Sequence, residues 1–219
     1  VIAILVITTA PVIAQSTSRN FRITPTLQMK RVQLKKALTS QRQILEFSSQ
    51  RKLLEPSEYQ SKPIKVTTGV YISNLIDIDE TNENFEIMGY LYSSWKDLRL
   101  SFDPKEKGLQ QIKSYKAGDV WTPSLRFVNS QKFNVVDDYL TINNDGTVLH
   151  VETFEAKLSS PFLLKFFPFD SQALSLLVAS WDYPTSQIVL EPDRISTGFN
   201  PEAYSIRSAW HFKSISQKV

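Results

Sequence analysis

Three kinds of side chain in this sequence could do chemistry, and each points to recognition rather than to bond making. Arg99 and Arg126 carry guanidinium forks suited to carboxylates. Trp181, Tyr183 and Tyr90 offer ring faces, and an indole face attracts an ammonium by about 0.5–2 kcal/mol per contact. Asp77, Asp79, Glu80 and Glu83 crowd one short stretch. Carboxylates so placed form a solvated loop or, on a turn, hold a weak cation site. The reagents of catalysis are scarce. The chain has no cysteine, which excludes disulfides, thiolate metal sites and cysteine nucleophiles. Its two histidines, His150 and His211, lie in strand-like stretches without a Gly-x-Ser-x-Gly elbow or a metal spacing beside them. Asp137 and Asp138 are adjacent, so on a strand their side chains point to opposite faces and cannot act as one acid/base pair. No enzyme is expected, and no cofactor or resident metal.

The elements that must position these groups follow from the hydrophobic pattern. With 219 residues and 42% hydrophobic content, the chain can bury one sizeable core, so one main domain is expected. After Pro63 the pattern alternates. Lys65–Ser73 and Phe85–Trp95 are rich in branched and aromatic residues and are separated by the acidic stretch Asp77–Asn84, which predicts a long hairpin. Val135–Ile142 and Thr147–Leu158 flank Asn143-Asn144-Asp145-Gly146, a tight-turn signal because Asp-Gly supplies positive φ angles. Ser171–Ser180, Gln187–Glu191 and Tyr204–Ile215 are further strand candidates. Many strands without alternating helices predict an all-β, antiparallel, immunoglobulin-like β-sandwich.

The region ahead of Pro63 differs. Residues 1–14 are almost continuously apolar and end in Val12-Ile13-Ala14, as in the h-region of a signal peptide. They lack an initiating Met and a basic n-region, and the alternative is a buried strand. From Arg19 to Lys62, ten Lys or Arg face three Glu, a local balance of +7 that leaves −4 for the rest. Residues 15–62 are expected to form a basic helical segment, stopped by Glu55-Pro56-Ser57. Its aromatics are too widely spaced for a nucleic-acid platform, so no nucleic-acid partner is expected. Residues 63–219 then form the β-sandwich.

Five short motifs occur in one order: Trp95-Lys96-Asp97-Leu98-Arg99-Leu100, Val120-Trp121-Thr122-Pro123, Arg126-Phe127-Val128-Asn129, Asp145-Gly146 and Phe167-Pro168-Phe169-Asp170. In this they resemble the extracellular ligand-binding domain of the pentameric ligand-gated ion channel family, from about Lys65 to the end of the chain. Where the eukaryotic branch closes a loop with two cysteines, this sequence has Ser160 and Leu174, as the prokaryotic, Cys-less branch does. Pro161, Pro168 and apolar packing are then expected to keep the loop.

The resemblance implies a homopentamer whose ligand binds between subunits. Trp181 and Tyr183 match the principal face of the aromatic box, Tyr90 the complementary face, and an amine is the favoured ligand. Val128 stands where amine-binding members often place a further aromatic. Arg126 leaves a small organic acid open. Asp79 and Glu80 match the acidic loop tip that meets Asp170 in gating, and Phe167, Pro168, Phe169 and Asp170 match the loop that passes the signal on. Glu83 matches a carboxylate implicated in proton sensing, while another such position reads Asn74.

A channel would place this domain on the extracytoplasmic, periplasmic side of the cell membrane. It would continue past Val219 with a last strand, an arginine and four apolar spans of its own transmembrane domain. The sandwich is thus expected to be incomplete at its C-terminal end, with an open sheet edge beside the strand that contains Trp210. The alternatives are a proton-gated channel domain and a soluble, secreted pentameric binding protein.

Overall fold

The computed structural model describes residues 2–9, 62–104, 112–115, 118–163, 171–202 and 210–218. The basic helical segment expected over residues 15–62 and the Phe167–Asp170 loop lie outside these residues, apart from Lys62 at the segment's boundary. Strands dominate: β1 (Ile2–Thr9), β2 (Ile64–Asp79), β3 (Asn84–Lys96), β4 (Ile112–Tyr115), β5 (Leu125–Phe127), β6 (Ser130–Asn143), β7 (Thr147–Ser159), β8 (Ser171–Ser180), β9 (Ile188–Pro192), β10 (Gly198–Phe199) and β11 (Trp210–Lys218). They form a four-stranded sheet in the order β11-β1-β8-β5 and a seven-stranded sheet in the order β10-β2-β3-β7-β6-β4, with β9 also beside β2. The architecture is the expected all-β sandwich. Pairing is antiparallel except for β9 and β10, which run parallel to β2.

Alternation of side chains explains the layers. Along β3, Phe85, Ile87, Leu91 and Trp95 are buried on one face, as a half-buried strand requires. The two sheets meet through Phe127 of β5, Leu174, Leu176 and Val178 of β8, and Val70, Ile72, Ile87 and Phe154 of the larger sheet. Phe127 packs on Phe154 with ring centres 4.9 Å apart, and Phe133 closes on both at 5.5 and 5.9 Å. A second apolar cluster gathers Ile64, Val66, Trp95, Val120, Trp121, Leu140, Ile142 and Val148.

The sequence motifs interlock in space. Asp97 caps a 3-10 turn, Leu98–Leu100, and holds the Arg99 fork through Nε at 2.9 Å and Nη2 at 2.7 Å. The Asp97 amide donates to the Gly146 carbonyl at 2.9 Å, and Lys96 bridges to Asp145 at 2.6 Å. Gly146 has φ 82, and a Cβ there would press on the Asp97 carbonyl, so only glycine fits this turn. Arg99 is thereby engaged with its own neighbour, and as a carboxylate receptor Arg126 is left.

Ser160 and Leu174, the two positions matched to cysteines, are both buried. In place of a disulfide, Ser160 Oγ accepts from the Ser175 amide at 3.3 Å, and Gln172 grips the Leu163 backbone at both its N–H (3.0 Å) and its carbonyl (2.9 Å). The expected reliance on proline and apolar packing is therefore supplemented by polar clasps.

The edge expected to stay open is occupied. Ile2–Thr9 lies between β8 and β11 and pairs antiparallel with both. The segment with the composition of an h-region is thus an inner strand of the four-stranded sheet.

Candidate functional site

Trp181 ends β8 with its side chain 72% exposed. Its place is fixed by backbone: the Trp181 amide donates to the Ser124 carbonyl at 2.9 Å, and Ser180 Oγ donates to the Pro123 carbonyl at 2.8 Å. The Val120–Pro123 motif is therefore the bracket that holds the tryptophan out. Ser124 has φ 50, a left-handed conformation for a non-glycine residue, which costs about 1–3 kcal/mol and concentrates at functional sites. Tyr183, in contrast, packs inward against Trp121 at 5.4 Å, and Trp121 meets Trp95 edge-on at 5.5 Å.

Tyr90 sits on the other sheet. It lies on β3 opposite Tyr71 and forms a row with Tyr71 at 6.4 Å and Tyr92 at 6.3 Å. Burial and the neighbouring Tyr90 raise the Tyr71 hydroxyl pKa above its ordinary value, so the Tyr71 ring is uncharged at neutral pH. Tyr71 and Tyr92, the flanks of this row, were not singled out by the sequence, although Tyr92 stands at i+2 from Tyr90 on one strand and Tyr71 lies on the facing strand of the same hairpin.

Arg126 lies on β5, with its guanidinium 5.5 Å above the Phe133 ring and Nη1 donating to the Leu125 carbonyl at 2.9 Å. It acts electrostatically on Glu152 of β7, a residue that the sequence did not single out. Val128 is exposed beside it.

The acidic turn is tighter than expected, since β2 runs through Asp79 and leaves Glu80–Glu83 as the link to β3. Asp79 accepts from the Asn82 side chain at 2.7 Å and from its amide at 2.9 Å. These bonds, the side-chain one first, hold the Asp79 pKa below the ordinary carboxylate value. Glu80 accepts from Trp210 Nε1 at 2.8 Å, and Trp210 packs on Phe162 at 6.5 Å. The turn is thus tied to β11 and to the Pro161 loop by an indole that sequence spacing did not reveal. Glu83 is exposed, with φ 52, and its carbonyl accepts from the Ser160 amide at 2.9 Å; Asn74 is also exposed. Phe167, Pro168, Phe169 and Asp170 lie outside the described residues. Among the described residues no group of His, Asp and Glu is arranged to hold a metal, and no helix is long and apolar enough to cross a membrane.

The structure is thus a two-sheet sandwich with an exposed, backbone-bracketed tryptophan and a row of tyrosines on the opposite sheet. The sequence pattern of the neurotransmitter-gated ion-channel ligand binding domain matches residues 41–219, beginning ahead of the motifs that start near Lys65. A proton-gated ion channel of Gloeobacter violaceus is 34% identical over 167 residues, which cover 75% of this chain and 45% of that protein. Acetylcholine receptor subunit alpha-1-B of Xenopus laevis is 29% identical over 157 residues, 68% of this chain and 33% of the receptor subunit. The human neuronal acetylcholine receptor subunit alpha-5 is 31% identical over 144 residues, 65% of this chain and 31% of the subunit. This chain belongs to the neurotransmitter-gated ion-channel ligand-binding domain family, a family of ligand-gated channels and not of enzymes. It spans less than half the length of these relatives.

Proposed function

We propose that this domain senses a small ligand, an amine in the favoured reading, at the boundary between subunits of a homopentameric channel, and couples binding to the opening of a pore. The observation that carries the reading is the placement of Trp181. Its ring is 72% exposed on one sheet, while the tyrosine row of Tyr71, Tyr90 and Tyr92 occupies the other. Two half-sites of this kind join when one subunit's tryptophan meets the next subunit's tyrosines. An ammonium between them gains cation–π attraction from both sides, with Tyr183 behind Trp181 in sequence, whereas Arg126 suits a different ligand, a small organic acid.

Coupling is supported by the Glu80–Trp210 hydrogen bond, which links the β2–β3 turn to β11. Asp79, Glu80 and Phe167–Asp170 are the residues assigned to this transmission. The domain lies on the extracytoplasmic side of the membrane in this reading, and its transmembrane partner belongs to the same protein.

In the full-length channel, a panel of small amines at constant pH is expected to evoke current. Trp181→Ala raises the half-maximal concentration about 2- to 30-fold, the equivalent of one cation–π contact, whereas Trp181→Phe does so less. Amine-evoked currents that are unchanged in Trp181→Ala would remove the amine reading. A second reading, gating by protons, is favoured by the likeness to a proton-gated channel and by Val128 in the aromatic box. It requires current across an acid pH series with no ligand added.

A further inference from the structure

The two apolar clusters of the sandwich are separated by a row of polar side chains. On β2, Thr68 stands between Val66 of one cluster and Val70 of the other; on β3, Ser93 stands between Trp95 and Leu91; on β7, His150 and Glu152 stand between Val148 and Phe154. The register aligns them, with Thr68 opposite Ser93 and Ser93 opposite His150. Thr68, Ser93 and His150 are 0%, 3% and 5% exposed. Thr68 Oγ1 has no hydrogen-bond partner among the described residues, and His150 Nε2 makes only a long approach to Asp138. Poorly met polar atoms in a core layer call for a reason, since burying them without partners is destabilising.

The row ends in a carboxylate pair. Glu152 lies directly opposite Asp138 on β6 and opposite Leu91 on β3, so the two acids share the inward face. Asp138 points inward because of a bulge between Val135 and Asp137, which resets the alternation of β6. The charged groups around Glu152 are Asp138 from β6, His150 from its own strand and Arg126 from β5, while β3 offers the uncharged Leu91 and Ser93. His150 Nε2 is 3.5 Å from Asp138. Two ionised carboxylates on facing positions of one ladder repel, and a single guanidinium balances only one of them.

We propose that Asp138 and Glu152 form a proton-binding site at the half-exposed margin of the sandwich, in which the pair carries one proton and a single negative charge opposed by Arg126. Burial, with the Asp138 charge in support and against the pull of Arg126, pushes the Glu152 carboxyl up to about 7. Burial lowers the His150 pKa against the pull of Asp138, which keeps that ring neutral beside the pair. Arg126 is two residues from Ser124, whose carbonyl holds the Trp181 amide, so the charge on the pair reaches the ligand face along β5. The site does not depend on which ligand opens the channel.

The test is the melting temperature of the full-length protein and of Glu152→Gln from pH 5 to pH 8. The folded state binds this proton more tightly than the unfolded chain, so the stabilisation is complete below the ordinary glutamate range and is lost as pH rises through about 7. The difference between variant and wild type is therefore near zero at pH 5 and grows to several degrees in favour of Glu152→Gln by pH 8. A difference that does not vary with pH overturns the proposal. Should Glu152→Gln not fold, Asp138→Asn decides: its melting temperature falls at a lower pH than that of wild type if the site exists, and at the same pH if it does not.

Discussion

One amide side chain ties together two strands of opposite sheets. Asn129 Nδ2 donates to the carbonyls of Ser159 on β7 (2.7 Å) and Ser175 on β8 (2.8 Å), and its Oδ1 accepts from the Leu177 amide at 3.1 Å. It thus joins the two sheets at the point where β5 passes into β6. Asn129→Ala leaves these backbone groups unmet and is expected to cost about 1–3 kcal/mol, read as a lower urea midpoint with an unchanged slope. An unchanged midpoint would show that water replaces the amide. At this scale the sequence was legible where motif residues serve one another, as with Asp97, Arg99 and Gly146. It was silent where the partner is remote: nothing in the spacing of Glu80 and Trp210, or of Asp138 and Glu152, tells that they meet. Arg126 was legible as a charge, but its neighbour Glu152 was not, because a strand pattern shows which residues alternate and not what faces them across a bulge.

Among the elements, both long hairpins were readable because their strands alternate cleanly and their turns carry the required chemistry. The β2–β3 turn was expected too long, since Asp77–Asp79 reads as loop by composition yet pairs with Asn84–Glu86. β9 and β10 lie parallel to β2, an orientation that period-2 alternation does not encode. β4 and β5 are four and three residues long, short enough for their alternation to be lost among neighbours. β1 is the element on which composition and structure bear differently: an apolar run suits an exported leader and a core strand equally well. Deleting residues 1–14 separates them. If β1 belongs to the fold, the deletion frees the facing edges of β8 and β11, so amide protection of Trp210–Lys218 falls and the sample associates through exposed strand edges. Unchanged protection and a monodisperse sample would contradict this and leave the segment as a leader.

For the whole molecule, the sandwich explains why the aromatic half-sites are carried on separate sheets. Trp181 is held out from the end of β8, and Tyr90 with its neighbours covers part of β3 and β2. The fold was legible because hydrophobic alternation specifies layers; the ligand was not, because the proposed box draws on a second copy of the chain. Subunit mixing tests this central claim directly. Full-length Trp181→Ala and Tyr90→Ala channels are expressed alone and together, and current is measured at a ligand concentration that half-activates wild type. Each variant alone is expected to respond weakly, while the mixture recovers current, because some interfaces then pair an intact Trp181 with an intact Tyr90. Weak responses from both single variants with no recovery in the mixture would contradict a site shared between subunits.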